Sequence, residues 1–251
     1  MVQNGGSGIP EDWAYSNWVI DVAKDGYELW LMTQRGMKNA DTNSKDGSWT
    51  LKERWDYSWA EQGSIDIPAM LDVALAVTEK PKATLIGYSQ GTSALWYGLA
   101  TKHSDFASKV NRAIFLATCL IQEDANTTYD STVKIYSKYD ELGYYNAGGN
   151  DASTLSAEEA CKYVDDPKTC GGKGDDKSAK SSSDASRAAP IKSTLYFLQL
   201  TVEQRFQEPI SIADYAAGTR QSALVDLGNI DSIPVTMMHG SKDKICPVKY
   251  I

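Results

Sequence analysis

The sequence predicts an α/β fold, in which a mostly parallel sheet is flanked by helices and interrupted by an inserted region. Short apolar runs at residues 83–86, 113–118 and 235–238 are separated by stretches of helical character, as in repeated βαβ units. A polar stretch breaks this alternation after about residue 122. The chain has 251 residues, 42% of them hydrophobic, so it can bury one full core and carry an insertion.

Each predicted element rests on a local signal. Pro68 suits the first turn of a helix, where its missing N–H costs nothing, and Lys80-Pro81-Lys82 marks the turn before the next strand. A Gly-rich loop is predicted at residues 3–8. The elements predicted after it are, in chain order, a helix at 12–23, a strand at 27–32, a helix at 65–78, a strand at 83–86, a helix at 92–102, a strand at 113–118, a helix at 194–206 and a strand at 235–238.

The chain divides into three predicted regions. Residues 1–122 form the first part of the core, residues 123–190 an inserted cap, and residues 191–251 the end of the cap and the second part of the core. The cap contains the low-complexity run GGKGDDKSAKSSSDASR, which has too few apolar side chains to build a core. We therefore place the buried sheet in the two outer regions.

The most specific motif is the run from Gly87 to Gly91, which fits Gly-x-Ser-x-Gly between a predicted strand and a predicted helix. In that setting the pattern is typical of a nucleophile elbow, whose glycines let the turn close while the serine hydroxyl stands clear. We predict that Ser89 is a nucleophile and that the backbone N–H of Gln90 is one oxyanion-hole donor. Gly6, in the early Gly-rich loop, is predicted to supply the second donor, although an ordinary surface turn would explain that loop equally well.

Asp243 is the predicted acid of a catalytic triad, because it lies in a Gly-Ser-Lys-Asp loop directly after the last apolar strand. A loop carboxylate that caps a turn is the alternative interpretation of this residue. Where a nucleophile elbow precedes the acid in the chain, the base is a histidine that follows the acid. Neither histidine of this chain follows Asp243. We interpret His103 as a solvated helix end and His239 as a structural group at the end of its strand.

Composition and charge exclude several classes of partner. The net charge of −8 argues against nucleic-acid binding, because a polyanion would be repelled. No Cys-x-x-Cys motif is present and there are only two histidines, so we predict neither a zinc site nor any other cofactor. No apolar run approaches the ~20 residues that span a bilayer. We expect a monomer.

The cysteines and one asparagine bear on the compartment. Cys119 lies in an apolar run and is interpreted as a buried thiol. Cys161 and Cys170 flank a polar loop and could close a small disulfide ring, which would require an oxidising compartment. Asn126-Thr127-Thr128 is a glycosylation acceptor if the protein is secreted. The first residues show no signal peptide.

Taken in chain order, these segments resemble the acid lipase family of α/β-hydrolases, which includes the lysosomal and gastric lipases. The resemblance covers most of the chain and rests on the order and spacing of its motifs. The matching segments are Gln3-Asn4-Gly5, Asp25 to Leu31 with Arg35-Gly36, Trp55 to Trp59, Asp66 to Ala69, the elbow from Gly87 to Thr92, Phe115 to Ala117, and His239 to Asp243 with Pro247.

The resemblance implies an α/β-hydrolase fold and hydrolysis of acyl esters, either triacylglycerols or sterol esters. It implies that Ser89 attacks the ester, that Asp243 is the triad acid, and that Gln90 and Gly6 form the oxyanion hole. It further implies a lipid or acyl-ester substrate, and a secreted protein or one in the lysosomal or phagosomal lumen. Cys161 and Cys170 resemble the close cysteine pair of the family's cap.

The chain departs from the family pattern at several positions. Tyr88 and Asn4 stand where the family has histidine, and small Gly6 and Ser7 replace larger apolar residues. The catalytic histidine, expected some tens of residues after Asp243, is absent. We interpret the chain as a fragment truncated at both ends. We expect it to be inactive or weakly active by itself. A serine without its base accelerates the reaction only roughly 10³- to 10⁴-fold over the rate in water.

Two other functions fit the same sequence. A non-catalytic α/β-hydrolase homologue could bind lipid or a partner, and an esterase could act on soluble acyl esters. The aromatic cluster Trp49, Trp55, Tyr57 and Trp59 could line an acyl site. Packing of a long loop onto the core is the favoured interpretation of that cluster, because aromatic side chains mostly serve burial.

Overall fold

A computed structural model describes residues 2–4, 17–35, 50–122, 146–147, 189–247 and 249. The chain forms two units, of which the first comprises residues 1–35, 59–123 and 224–251 and the second residues 36–58 and 124–223. Most of the predicted cap, 123–190, lies outside the described residues, so the division into three regions stays a prediction.

The strands and helices are numbered here in chain order. The strands of the described residues are β1 Val2–Asn4, β2 Leu31–Met32, β3 Ala83–Tyr88, β4 Val110–Leu116, β5 Asn146–Ala147, β6 Ala189–Pro190 and β7 Val235–Met238. Their α-helices are α1 Asn17–Lys24, α2 Leu51–Trp55, α3 Trp59–Glu61, α4 Ile67–Thr78, α5 Gln90–Thr101, α6 His103–Ala107, α7 Ile191–Glu203 and α8 Ile212–Ala216. A π-helical turn Gln62–Asp66 joins α3 to α4, and a 3₁₀ turn Leu227–Ile230 precedes β7.

The first unit is built on a five-stranded sheet with the order β2-β1-β3-β4-β7. Every neighbouring pair in it is parallel. Tyr88 pairs with Leu116, and Leu116 pairs with Met238, so β3, β4 and β7 end at the same level. Because the carboxyl ends of parallel strands share one edge, the residues that follow these three strands leave the sheet together.

Apolar side chains of β3, β4 and α5 form the core of the first unit. Leu85 on β3 and Phe115 on β4 are buried within the sheet layer, and α5 buries most of its first three turns. The ring of Trp96 packs on that of Phe115, with 4.5 Å between centroids. The burial of α5 on the sheet positions its first turn at the end of β3.

Two glycines let α5 approach the π-helical turn closely. A Cβ on Gly63 would lie 2.0 Å from the carbonyl oxygen of Ala94, and a Cβ on Gly98 would lie 2.2 Å from the carbonyl oxygen of Gly63. Real Cβ contacts are never this short, so only glycine permits the two backbones to pack at this distance. A half-buried ion pair, Arg35 with Asp66, connects the segment after β2 to the end of the same turn.

Gly98→Ala is expected to lower the free energy of unfolding by about 3 kcal/mol, near the upper end for an overpacked core. The clashing atom belongs to the backbone of Gly63 and cannot rotate away. Denaturant titration followed by tryptophan fluorescence measures the change. Gly240→Ala is the matched control, because no neighbouring atom of the described part of the chain lies within 4 Å of its added Cβ. Equal midpoints for the two variants would show that the close approach is not needed for stability.

The second unit, as far as it is described, contains a capped helix and two buried side-chain amides, those of Gln199 and Gln207. Gln199 donates to the carbonyl of Glu208 and to Ser222, and it accepts from the hydroxyl of Tyr215 on α8. At the start of α2 the backbone and side chain of Thr50 donate to the Glu53 carboxylate. These hydrogen bonds lower the pKa of Glu53 and complete a capping box.

Most predicted elements lie close to observed ones. The strand predicted at 235–238 coincides with β7, and the helix predicted at 92–102 corresponds to α5. The loop predicted at 3–8 is wrong at its start, because Gln3 and Asn4 belong to β1. A strand of three residues has no apolar alternation to detect, and its hydrogen bonds come from parallel neighbours on both sides. Residues 5–8 and 12–16 lie outside the described residues.

Candidate active site

Ser89 occupies a sharp turn between β3 and α5. Its backbone has φ +51° and ψ −123°, a combination that costs a residue with a side chain about 1–3 kcal/mol. The Ser89 N–H donates to the carbonyl of Leu116 at 3.0 Å, and the Ser89 carbonyl accepts from the N–H and the hydroxyl of Thr92 at 2.8 and 2.6 Å. These contacts hold the strained turn in place and lift the serine out of the end of β3.

A glycine before the serine is required by the packing of this turn. A Cβ on Gly87 would lie 2.6 Å from the Leu95 side chain and 2.9 Å from the carbonyl oxygen of Gly91. The tight crossing of β3 under α5 therefore excludes any side chain at position 87. This is the geometry that the Gly-x-Ser-x-Gly pattern predicted.

Gln90, the predicted oxyanion-hole residue, is the first residue of α5. The N–H groups of a helix's first turn have no intrahelical acceptor, and the helix dipole makes this end attractive to negative charge. The Gln90 side chain donates to the buried Gln62 amide oxygen at 3.3 Å. This contact orients Gln90 at the edge of the sheet where Ser89 lies.

The predicted second donor, Gly6, lies outside the described residues. The strand before it is described: β1 pairs with β3, and Asn4 is opposite Tyr88. The chain therefore leaves β1 at the sheet edge that carries Ser89. The role of Gly6 stays a prediction.

Asp243 lies in the loop after β7, at the same edge of the sheet as Ser89. One of its carboxylate oxygens accepts from the N–H groups of Ile245 and Cys246, at 2.9 and 3.1 Å. The side chain retains 21% of its accessible surface. The carboxylate thus caps its own loop through one oxygen, while the other oxygen is available to a second group.

His239 lies near that second oxygen. Its Nε2 lies 3.7 Å from Asp243 Oδ2, beyond hydrogen-bond distance, and its side chain is 9% exposed. Neither ring nitrogen has a hydrogen-bond partner among the described residues. His103 is far in the chain from His239 and Asp243. It begins α6, where its Nε2 lies 2.7 Å from the hydroxyl of Ser232. We therefore identify neither His103 nor His239 as the base for Ser89.

The end of β4 lies between the two predicted catalytic residues. The Ala117 N–H donates to the carbonyl of Met238, and Ala117 itself has φ +51°. The strand order therefore places β4 between the strands that carry Ser89 and Asp243. The segment that follows β4 therefore lies between the loop that carries Ser89 and the loop that carries Asp243.

A disulfide bond on this segment was not predicted. Cys119 is bonded to Cys246, with 5.1 Å between their Cα atoms and 127 positions between them in the chain. The expectation that Cys119 is buried was right, but the expectation of a free thiol was wrong. The parallel pairing of β4 with β7 brings the two following loops together, which no local pattern reports. Cys161, Cys170 and Asn126 lie outside the described residues.

The predicted aromatic cluster is buried where it is described. The rings of Trp55 and Tyr57 stack with centroids 6.3 Å apart, and Trp59 meets Tyr97 edge-on. Trp55, Tyr57 and Trp59 each expose 3% or less of their surface. These side chains serve packing in this structure, and Trp49 lies outside the described residues.

The described part of the chain contains neither a metal-binding cluster nor a membrane-spanning helix. Within it, no cluster of three or more His, Cys, Asp or Glu side chains is arranged to hold a metal ion. No helix among the same residues is long and apolar enough to cross a bilayer.

Comparison with known proteins gives one family and several relatives. The model of a family described as alpha/beta hydrolase fold matches residues 1–251. The chain is 34% identical over 117 residues to Probable lipase C1672.09 of Schizosaccharomyces pombe, which covers 46% of this chain and 25% of that protein. It is 31% identical over 115 residues to Lipase lipl-1 of Caenorhabditis elegans, covering 41% and 27%. Lipase member K of Mus musculus is 26% identical over 111 residues, with 41% and 27% covered. The matched part spans about a quarter of the length of each relative.

Proposed function

Because the chain belongs to the alpha/beta hydrolase fold family, we propose that it hydrolyses acyl esters as a lipase or carboxylesterase, with Ser89 as the nucleophile. The observation that carries the proposal is the strained backbone of Ser89 at the junction of β3 and α5. Strained backbone is concentrated at active sites, ligand clamps and switch regions. The similarity to three proteins named as lipases supports the same reaction class.

The proposed mechanism is acyl transfer in two steps. The Ser89 hydroxyl attacks the ester carbonyl, and the oxyanion that forms accepts hydrogen bonds from the N–H groups of Gln90 and Gly6. The general base takes the proton of the Ser89 hydroxyl during the attack and gives it to the departing alcohol as the ester C–O bond breaks. The base then takes a proton from the water that attacks the acyl-enzyme, and returns it to Ser89 as the carboxylic acid leaves. Asp243 orients that base and stabilises its charge. In this fold family the base is a histidine that follows the acid, and none follows Asp243 in these 251 residues.

We propose a lipid as the acyl-ester substrate. The experiment compares hydrolysis of emulsified tributyrin with hydrolysis of a short soluble p-nitrophenyl ester, using protein expressed from full-length cDNA. A lipase should gain rate when tributyrin exceeds its solubility and forms an interface. Rates that saturate below that limit would identify an esterase for soluble esters. Binding to the emulsion without any hydrolysis would identify a non-catalytic lipid-binding homologue and would overturn the proposal.

We also propose that the protein is either secreted or located in the lysosomal or phagosomal lumen. The Cys119–Cys246 disulfide supports this location, because such bonds persist in oxidising environments. If the protein is secreted, Asn126 would carry a glycan.

A further inference from the structure

We propose that the Cys119–Cys246 disulfide and the Thr92 hydroxyl form a strut that sets the position of Asp243 relative to Ser89. The inference rests on the proposed function and deepens it, because it names three positioning residues for the same site. The strut is a continuous path of one covalent bond and three hydrogen bonds. It runs from the carbonyl of Ser89 to the carboxylate of Asp243.

The first part of the strut joins the elbow to the segment after β4. The Thr92 hydroxyl donates to the Ser89 carbonyl at 2.6 Å and accepts from the N–H of Cys119 at 2.9 Å. Thr92 has no accessible surface, so water cannot replace either bond. One hydroxyl therefore sets the distance between the nucleophile's backbone and the Cys119 backbone.

The Cys119 backbone is held on both sides. In addition to the bond from its N–H, its carbonyl accepts from the hydroxyl of Ser93, which is also fully buried. Two consecutive side chains in the first turn of α5 thus bind the same residue. This arrangement makes Cys119 a fixed point relative to the elbow.

The disulfide links Cys119 to the loop after β7 that contains Asp243. Cys246 is 4% exposed, whereas Ser241, Lys242 and Lys244 in the same loop are exposed. The N–H of Cys246 donates to the Asp243 carboxylate at 3.1 Å. The loop is therefore tied to the sheet at Met238, where β7 ends, and to the elbow through Cys246.

Reduction of the disulfide should release the far end of the loop. A small dithiol supplies two electrons and two protons, the S–S bond breaks, both cysteines become thiols, and the dithiol becomes a cyclic disulfide. Asp243 then keeps its short link to β7 and loses the tie to Cys119. Catalytic groups must be held within about 0.5 Å of their productive positions, so the looser loop should slow the chemical step and leave substrate binding nearly unchanged.

The first test follows ester hydrolysis by the full-length protein before and after treatment with dithiothreitol. We expect kcat to fall by about tenfold or more, a loss within the range for displaced catalytic groups, with KM nearly unchanged and recovery after reoxidation. Cys119→Ser/Cys246→Ser should show the low kcat without any response to reductant. Cys161→Ser/Cys170→Ser is the matched control and should respond like the wild type. Loss of the response in the control, or normal kcat in the first variant, would overturn the proposal.

Thr92 provides a second test that leaves the disulfide intact. Thr92→Ser keeps the hydroxyl and should keep kcat, whereas Thr92→Val keeps the shape and should lower kcat at constant KM. Both variants are measured well below their unfolding temperatures, so that loss of folded protein does not lower the measured kcat. Equal kcat for the two variants would contradict a positioning role for the hydroxyl.

Amide hydrogen exchange separates failure of the strut from failure of the proposed function. Reduction should speed exchange of the amides at residues 240–246 whether or not the protein hydrolyses esters. Faster exchange without ester hydrolysis by the wild type would support the strut and reject the enzyme. Ser89-dependent hydrolysis with unchanged exchange and unchanged kcat on reduction would support the enzyme and reject the strut.

Discussion

Ser89→Ala is expected to lower kcat for ester hydrolysis by about 10⁶-fold, as the loss of a serine nucleophile does when the oxyanion hole remains. Alanine keeps the strained backbone of the elbow, so the free energy of unfolding should stay unchanged. The measurement is the initial rate on emulsified tributyrin with protein from full-length cDNA. Ser104→Ala is the control, because this serine is exposed on α6 and has no part in the proposed mechanism.

A second substitution at the same position separates strain from chemistry. Ser89→Gly should be equally inactive, but it should raise the free energy of unfolding by about 1 kcal/mol, because glycine adopts positive φ without the steric cost. A fluorophosphonate should label the wild type at Ser89 and neither variant. Undiminished hydrolysis by Ser89→Ala would show that Ser89 is not the nucleophile.

Asp243→Asn is expected to lower kcat by about 10⁴-fold, the loss seen when a triad acid becomes an amide and the base takes the wrong tautomer. The asparagine side chain retains an oxygen that can accept from the N–H groups of Ile245 and Cys246. The loop should therefore keep its conformation and the protein its unfolding temperature. This variant isolates the charge of Asp243 from its capping role.

The matched control is Asp226→Asn. Asp226 caps the 3₁₀ turn before β7 through the same kind of side-chain bond, to the N–H of Gly228 at 2.9 Å. Its substitution should leave kcat unchanged. A kcat within about threefold of wild type for Asp243→Asn, well short of the loss expected for a triad acid, would mean that Asp243 serves only as the cap of its loop.

The elbow was predictable because its chemistry is local. Ser89, its flanking glycines and the helix that follows are consecutive in the chain, and the strain at Ser89 arises within three residues of it. The place of Asp243 at this edge of the sheet was predictable for a similar reason, because it follows an apolar strand whose limits, 235–238, match β7. Its role as the acid stays a prediction. The bonds that hold these residues were not predictable, since Leu116, Thr92 and Cys119 meet only in the folded sheet.

The sequence by itself determined the fold class, because its strands and helices follow from residues close together in the chain. The roles of Ser89 and Asp243 and the region that interrupts the core stay predictions from the same local patterns. The tertiary structure decided three other features: the strand β1, the pairing of Cys119 with Cys246, and the path from Thr92 to Asp243. The physical reason is the same for all three. Parallel strands pair residues that are far apart in the chain, and β4 beside β7 brings together two cysteines separated by 127 positions.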